Sequence, residues 1–426
     1  MPSIPQPLFE SYRRFLELNF QQVTEELLSV RDYLSSFPEH QAACQGYLAA
    51  RGFLKSYAGN EATFNSYRTH VERLLLWSLL IAQKPLLALR RSDAEAFMEF
   101  CLRPPPAWIG PMVKSRFIRD ANQTAGDLAC YQVNASWRPF SQTQPKRQKH
   151  LPPTTTKPGR YKMAQGSVAQ VFAVCGSFYQ YAMDEGLTES NPFRAVKQKA
   201  VYKQRHTHEV SGRALTRLQW DYVIDTAEAM AADDPVHERT LFVLTTLFAM
   251  YLRVSDLTGR DNWEPTMGDF RRDSLGNWWF HVVGKGNKSA KISVRDDYVQ
   301  TYLTRYRQHL GLTPLPSPHE SHPLLLTRDG RAGLSSRHLR LLLQQVFDRA
   351  LSQMTAEGRS EDEIDNLRSA SLHWLRHTSA TFDAPFREMK DLQADLRHNS
   401  LSTTQNTYYN SLDEERAHSV KHLKLR

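Results

Sequence analysis

The chain has 426 residues, 41% hydrophobic and 11% aromatic, enough to fill two domain cores and to exclude fibrous and disordered classes. Lys and Arg total 54 against 45 Asp and Glu, a net charge of +9, which points to a polyanionic partner. The longest apolar run, Leu241 to Leu252, is broken by Thr245 and Thr246 and falls short of the roughly twenty residues of a membrane span. No secretory leader pattern opens the chain, so a soluble cytoplasmic protein is expected. Cys44, Cys101, Cys130 and Cys175 lack the spacing of a zinc or redox site.

In chain order, Leu8 to Leu34 and Ala42 to Leu54 carry apolar residues at helical spacing, and residues 1–55 read as an N-terminal helical extension. Residues 56–205 read as a helical domain. Within it, Tyr67, Val71, Leu74, Leu75 and Leu80 stripe a helix over Thr63 to Ile81, and Ala94 to Phe100 forms another. Residues 103–166, rich in Pro, Gln, Thr and Arg, read as an elaborated loop. From Ser167 to Asp184 the residues Val168, Val171, Phe172, Cys175, Phe178 and Tyr179 mark a core-facing stripe, ended by Gly186 and Pro192.

Two acid-free basic runs flank that helix. Lys146, Arg147, Lys149, Lys157, Arg160 and Lys162 precede it; Arg194, Lys197, Lys199, Lys203 and Arg205 follow it. These eleven cations exceed the whole net charge, so the excess is localised. A solvated loop explains either run alone; together they suit a phosphate backbone.

A boundary falls near residue 210, and residues 206–426 form a second, mixed domain. The capping box Thr216 to Gln219 starts its first helix. Helices over Leu218 to Ala232 and Glu238 to Tyr251 precede strands at Thr266 to Arg271, Trp278 to Val283 and Ala290 to Val294, a small antiparallel sheet with a glycine-rich hairpin tip around Lys285. Helices follow over Leu303 to Gln308, Arg337 to Met354, Ser371 to Thr381, Lys390 to Arg397 and Thr403 to Tyr409, with a last one at Asp413 to Lys424.

Four spots in this half gather groups suited to a phosphodiester: Arg253 with Asp256, Lys285, His373 with Arg376 on one helical face, and Arg397-His398 followed by Tyr408-Tyr409. Singly each has an ordinary explanation. Arg253 and Asp256 suit a surface ion pair, and His373 a core histidine. A zinc site on His373 and His377 is unsupported, because Trp374 replaces the acid of HExxH and Arg376 repels a cation. Gly284-Lys285-Gly286 lacks the GxxxxGK[ST] pattern of a nucleotide loop.

In order and spacing, Leu252-Arg253-Val254-Ser255-Asp256-Leu257, Val283-Gly284-Lys285-Gly286-Asn287-Lys288, Leu372-His373-Trp374-Leu375-Arg376-His377-Thr378 and the run Leu396 to Gln405 resemble the tyrosine recombinases, the phage integrase family. The motifs span nearly all of residues 215 to 410. The resemblance implies an α+β, mostly α-helical chain with the DNA breaking-rejoining enzyme fold: a helical core-binding domain, then a mixed catalytic domain, closing as a C-shaped clamp on duplex DNA. It implies a site-specific recombinase acting through a 3′-phosphotyrosine, without metal or cofactor, for a mobile element in the bacterial cytoplasm at the nucleoid. Four protomers would synapse two sites, the last helix docking on a neighbour, with accessory DNA-bending or helper proteins as further partners.

Arg253 and Arg376 would neutralise the phosphorane, Lys285 would protonate the leaving 5′-hydroxyl, His373 would assist proton transfer and His398 would donate to a phosphate oxygen. The family tyrosine usually follows the histidine by nine residues. Here position 407 is Thr, which leaves Tyr408, favoured by its distance to Arg416, or Tyr409 as nucleophile. Arg397 stands where many members carry glycine. Alternative readings are an inactive DNA-binding accessory protein and a type IB-like topoisomerase.

Overall fold

The computed structural model describes residues 4–17, 27–119, 131–142, 161–196, 214–260, 263–284, 288–327 and 329–409. They form two compact units, one on each side of the expected boundary, and the fold is mostly helical with small sheets.

The first unit packs helices Tyr12–Glu17, Leu28–Ser35, Ala43–Lys55, Glu61–Trp77, Arg91–Leu102 and Gln165–Asp184 around one core. Asn60 caps the Glu61–Trp77 helix by accepting from the Thr63 amide, and Val71, Leu74 and Leu75 of its stripe are fully buried. The described residues of the 1–55 segment are integral to this unit: Leu8, Phe9, Tyr47 and Phe53 lie in the same core as Phe64 and Phe178. The joint is polar as well as apolar. The amides of Leu8 and Phe9 donate to the buried Glu72 carboxylate, which also pairs with Arg116.

The segment read as a loop over 103–166 is also structured in its described parts. Ile109–Gly110 pairs in parallel with Phe140–Ser141, and Phe117–Arg119 pairs antiparallel with Tyr131–Val133. Its Pro and Arg content hid the anchors, since Trp108, Phe117, Trp137 and Phe140 are all buried and supply the apolar area that fixes short strands.

In the second unit the capping box forms as expected, Thr216 and Gln219 exchanging side-chain bonds with each other's amides. The three-stranded antiparallel sheet runs Phe270–Arg272, Trp278–Val283, Ser289–Ser293 in order. Trp278, Phe280 and Val282 point into the core while their neighbours are half-buried, the alternation a one-sided sheet requires. The first expected strand is shortened, because Thr266 and Asp269 close a capping box around the 3-10 turn Met267–Asp269. A helix unforeseen from periodicity, Glu361–Ser369, carries its own signal: a box between Ser360 and Glu363.

A small cluster of Tyr251, Ala380, Ala384, Leu392, Leu396 and Tyr408 sits apart from the main core of this unit. It brings the ends of four distant segments together. No helix among the described residues is long and apolar enough to cross a membrane.

Because Glu72 is a buried charge holding two backbone amides and a guanidinium, Glu72→Ala is expected to destabilise the first unit by about 3–5 kcal/mol, the range for breaking a buried pair from one side. Urea unfolding of wild type and variant, followed by tryptophan fluorescence, measures this.

Candidate active site

The helix Met389–Leu396 ends at Arg397, which adopts a left-handed conformation (φ 53°). The His398 amide donates to the Gln393 carbonyl and the Arg397 amide to that of Ala394, the paired closure usually made with glycine at this place. Arg397 takes it because its side chain is held: the guanidinium grips both oxygens of Asp256, whose carboxylate is fully buried. Asp256 is therefore no surface partner of Arg253. It accepts from the Arg253 backbone amide at 2.8 Å, capping the Val254–Thr258 helix, while Arg397 supplies its ion pair.

That closure leaves the Leu396 carbonyl free at the helix end, where partial negative charge attracts cations. Two guanidiniums meet on it. Arg376 donates through Nη2, and Arg253 does so at 3.4 Å. Arg376 also donates through Nη1 to the carbonyl of Tyr251, a residue turned left-handed (φ 52°) between the Glu238–Ala249 helix and Arg253. Arg376 is almost wholly buried. Burial, followed by the neighbouring Arg253 charge, pulls it down to about 10, and burial followed by Arg397 lowers Arg253. Cations stacked in this way favour an incoming anion.

Tyr408 reaches the same place from the five-residue π turn Gln405–Tyr409. Its ring is buried and its hydroxyl lies 3.0 Å from His377 Nδ1. Burial raises the phenol above its ordinary value, while Arg376 and Arg253 pull it back. Tyr409 faces elsewhere, donating to the Arg387 carbonyl at 2.7 Å. His398 stacks parallel to the Tyr408 ring at 6.1 Å, and its Nδ1 lies 2.9 Å from the Thr404 hydroxyl. His373 is exposed, and its Nε2 lies 3.1 Å from Nε2 of His377. The result is a row His373, His377, Tyr408 leading from the surface to the buried arginines.

Behind the sheet, Arg260 joins the hairpin to this cluster, donating to the Val283 carbonyl at 2.8 Å and to Ser255 at 2.9 Å. The hairpin closes at its base with the Gly284 amide on the Lys288 carbonyl at 2.7 Å.

Tyrosine recombinase XerD of Halalkalibacterium halodurans is 26% identical over 253 residues, 57% of this chain and 70% of the relative. Tyrosine recombinase XerC of the same organism is 26% identical over 264 residues, 60% of this chain and 75% of the relative. No family model matches the chain. In fold it is similar to the XerH site-specific recombinase bound to difH substrate in a pre-cleavage complex: TM-score 0.50, 14% identity, 100% of this chain and 98% of that one. The post-cleavage complex on palindromic difH gives a TM-score of 0.52 at 14% identity over 98% of each chain.

In sequence and in fold the chain is similar to the tyrosine recombinases.

Arg253, Arg376, His398 and Tyr408 of the expected set share one site, and His373 connects to it through His377. Lys285 lies outside the described residues, as do Lys146, Arg147, Lys149, Lys157, Arg160, Lys197, Lys199, Lys203, Arg205 and the expected last helix. Lys162 is described and exposed. Sequence reasoning missed His377 as the direct neighbour of the phenol, although it stands four residues after His373 and so one helical turn along the same face. It also missed Asp256 and Arg397 as a buried pair.

His398 is pushed down to about 4 by burial and then by Arg376 and Arg253. An unfolded chain takes up that proton near 6.5, so between these values the unfolded state binds more protons and stability falls as pH drops from about 6.5 to about 4. His398→Asn is expected to flatten this limb. Thermal melts between pH 7 and 4 check it by slope, independently of the variant's absolute stability.

Proposed function

We propose that this protein is a site-specific DNA recombinase that cuts and rejoins strands through a covalent 3′-phosphotyrosine at Tyr408, moving or resolving a mobile element. The observation that carries the reading is the placement of one buried phenol beside two guanidiniums from separate segments, with an imidazole at 3.0 Å from its oxygen.

The chemistry follows from the groups. A phosphate entering between Arg253 and Arg376 gains charge-assisted bonds from guanidiniums that backbone carbonyls already hold in position. The Tyr408 oxygen attacks phosphorus, a P–O bond forms to the phenol, and the bond to the 5′-oxygen breaks. The phenolic proton passes to His377, with His373 behind it, and the departing 5′-oxygen takes a proton from Lys285. His398, neutral at physiological pH, donates from Nε2 to a phosphate oxygen when Thr404 donates to its Nδ1. The ester preserves the energy of the broken bond, so a second 5′-hydroxyl can reverse the step on another strand.

In this reading the first unit is the core-binding domain and the second the catalytic one. The basic runs at 146–162 and 194–205 supply phosphate contacts, four protomers act together on two sites with helper proteins, and the reaction takes place in the bacterial cytoplasm. An accessory DNA-binding role leaves the assembly of phenol, imidazoles and arginines without a purpose.

A duplex carrying a nick close to the cleavage point loses its 5′-hydroxyl fragment and traps the enzyme. Wild type is expected to form a denaturant-resistant protein–DNA adduct, Tyr408→Phe none, and Tyr409→Phe the wild-type amount. Arg376→Ala is expected to slow trapping by about 10²–10³-fold, the usual loss for a donor to transition-state charge. Adduct formation by Tyr408→Phe at the wild-type rate would refute the assignment.

A further inference from the structure

The first unit holds a second concentration of guanidiniums, remote in sequence from the residues around Tyr408. A cavity of about 520 Å³ is walled by Arg14, Arg68, Arg73, Lys114, Arg116 and Arg138, with Glu10 as the acidic residue in its wall. Arg116 is neutralised by Glu72.

Four of the guanidiniums are braced on aromatic rings. Arg14 lies 4.0 Å from the Tyr131 ring centre, Arg73 4.4 Å from Phe140, Arg116 5.3 Å from Trp137 and Arg68 5.6 Å from Phe64. Stacking fixes the plane of a guanidinium and leaves its N–H edge for a planar or tetrahedral oxyanion. Three guanidiniums of the cavity donate to neutral acceptors: Arg73 Nε to the Pro139 carbonyl at 2.7 Å, Arg14 Nη1 to the Tyr131 hydroxyl at 3.1 Å and Arg138 Nη1 to the Ala135 carbonyl at 2.8 Å. The Nε groups of Arg14 and Arg68 are buried and make no hydrogen bond among the described residues. A buried donor left unmade costs free energy, and so does gathering like charges: burial and the Arg116 charge bring Arg68 down to about 10, and burial lowers Arg73. An oxyanion in the cavity relieves both costs at once.

We propose that this cavity is an anion site that takes a phosphate group, carried either by a DNA backbone or by a small phosphorylated ligand. The proposal is independent of the strand-transfer reading, since none of its residues belongs to the Tyr408 site. The walls come largely from the strand-bearing segments between residues 111 and 141, with Arg68, Thr69 and Arg73 from the Glu61–Trp77 helix and Glu10, Ser11 and Arg14 from the N-terminal segment, so the site lies where the added segments meet the helical domain.

Tripolyphosphate is a suitable probe, titrated calorimetrically into the full chain at low salt, with thermal melting alongside. Wild type is expected to bind it saturably and to melt at a higher temperature in its presence, because a ligand of the folded state shifts unfolding. Arg14→Gln and Arg138→Gln are each expected to weaken binding about tenfold, the worth of one charge-assisted donor, while Arg349→Gln, an exposed cation of the other unit, leaves it unchanged. Circular dichroism confirms folding, and if one cavity variant fails to fold the other decides. Displacement of the probe by duplex DNA assigns the phosphate to a nucleic-acid backbone; simultaneous binding of both assigns it to a free ligand. Absence of saturable binding to folded wild type, or wild-type affinity in both cavity variants, overturns the proposal.

Discussion

The carbonyl of Leu396 is the pivot of the second unit. It is left unpaired by the left-handed turn at Arg397 and receives Arg253 and Arg376 from segments far apart in the chain. The turn is secured by Arg397 on Asp256, and Asp256 in turn caps the helix that begins after Arg253. One buried carboxylate thus sets the backbone of one arginine and, through the helix end, the target of both. Three arginines surround it, so the centre carries a surplus of positive charge in a poorly solvated place, which burial and mutual repulsion register as lowered values for Arg253 and Arg376. An anion is what such a centre lacks.

The phenol shares this environment but is held neutral by it. Burial raises Tyr408 more strongly than the two cations lower it, so the resting nucleophile keeps its proton, and the nearest base is His377. The π turn that ends the described chain decides between the two adjacent tyrosines. It turns Tyr408 into the cluster with Leu392 and Leu396, and sends the Tyr409 hydroxyl to the Arg387 carbonyl. Around them Arg387 and Ser293 hold Asp395, and Arg295 holds Asp383, fastening the Met389–Leu396 helix to the sheet edge and the Leu372–Asp383 helix to the preceding core.

Much of this was legible in the sequence because residue types and order specify chemistry directly. The helices, the sheet with its alternating Trp278–Val283 strand, and four of the site residues were readable from periodicity, capping boxes and the family motifs. What escaped reading depends on three-dimensional partners. The pairing of Asp256 with Arg397 spans more than a hundred residues, and nothing local marks it. His377 was overshadowed by its neighbours Arg376 and His373, though helical spacing had placed it. The segment over 103–166 misled through its Pro and Arg content, because isolated tryptophans and phenylalanines carry no period yet bury enough surface to order its described strands. Residues 1–55 looked separable only because their contact with Glu72 joins backbone amides to a carboxylate, an interaction without a sequence signature.

The central claim is that a single phenol, Tyr408, is the group that becomes esterified. Mass spectrometric mapping of the trapped adduct tests it most directly: after nuclease and trypsin treatment, the nucleotide mass should reside on the peptide beginning at His398, with fragment ions placing it on Tyr408. A nucleotide on Tyr409, or on any residue outside that peptide, would contradict the account.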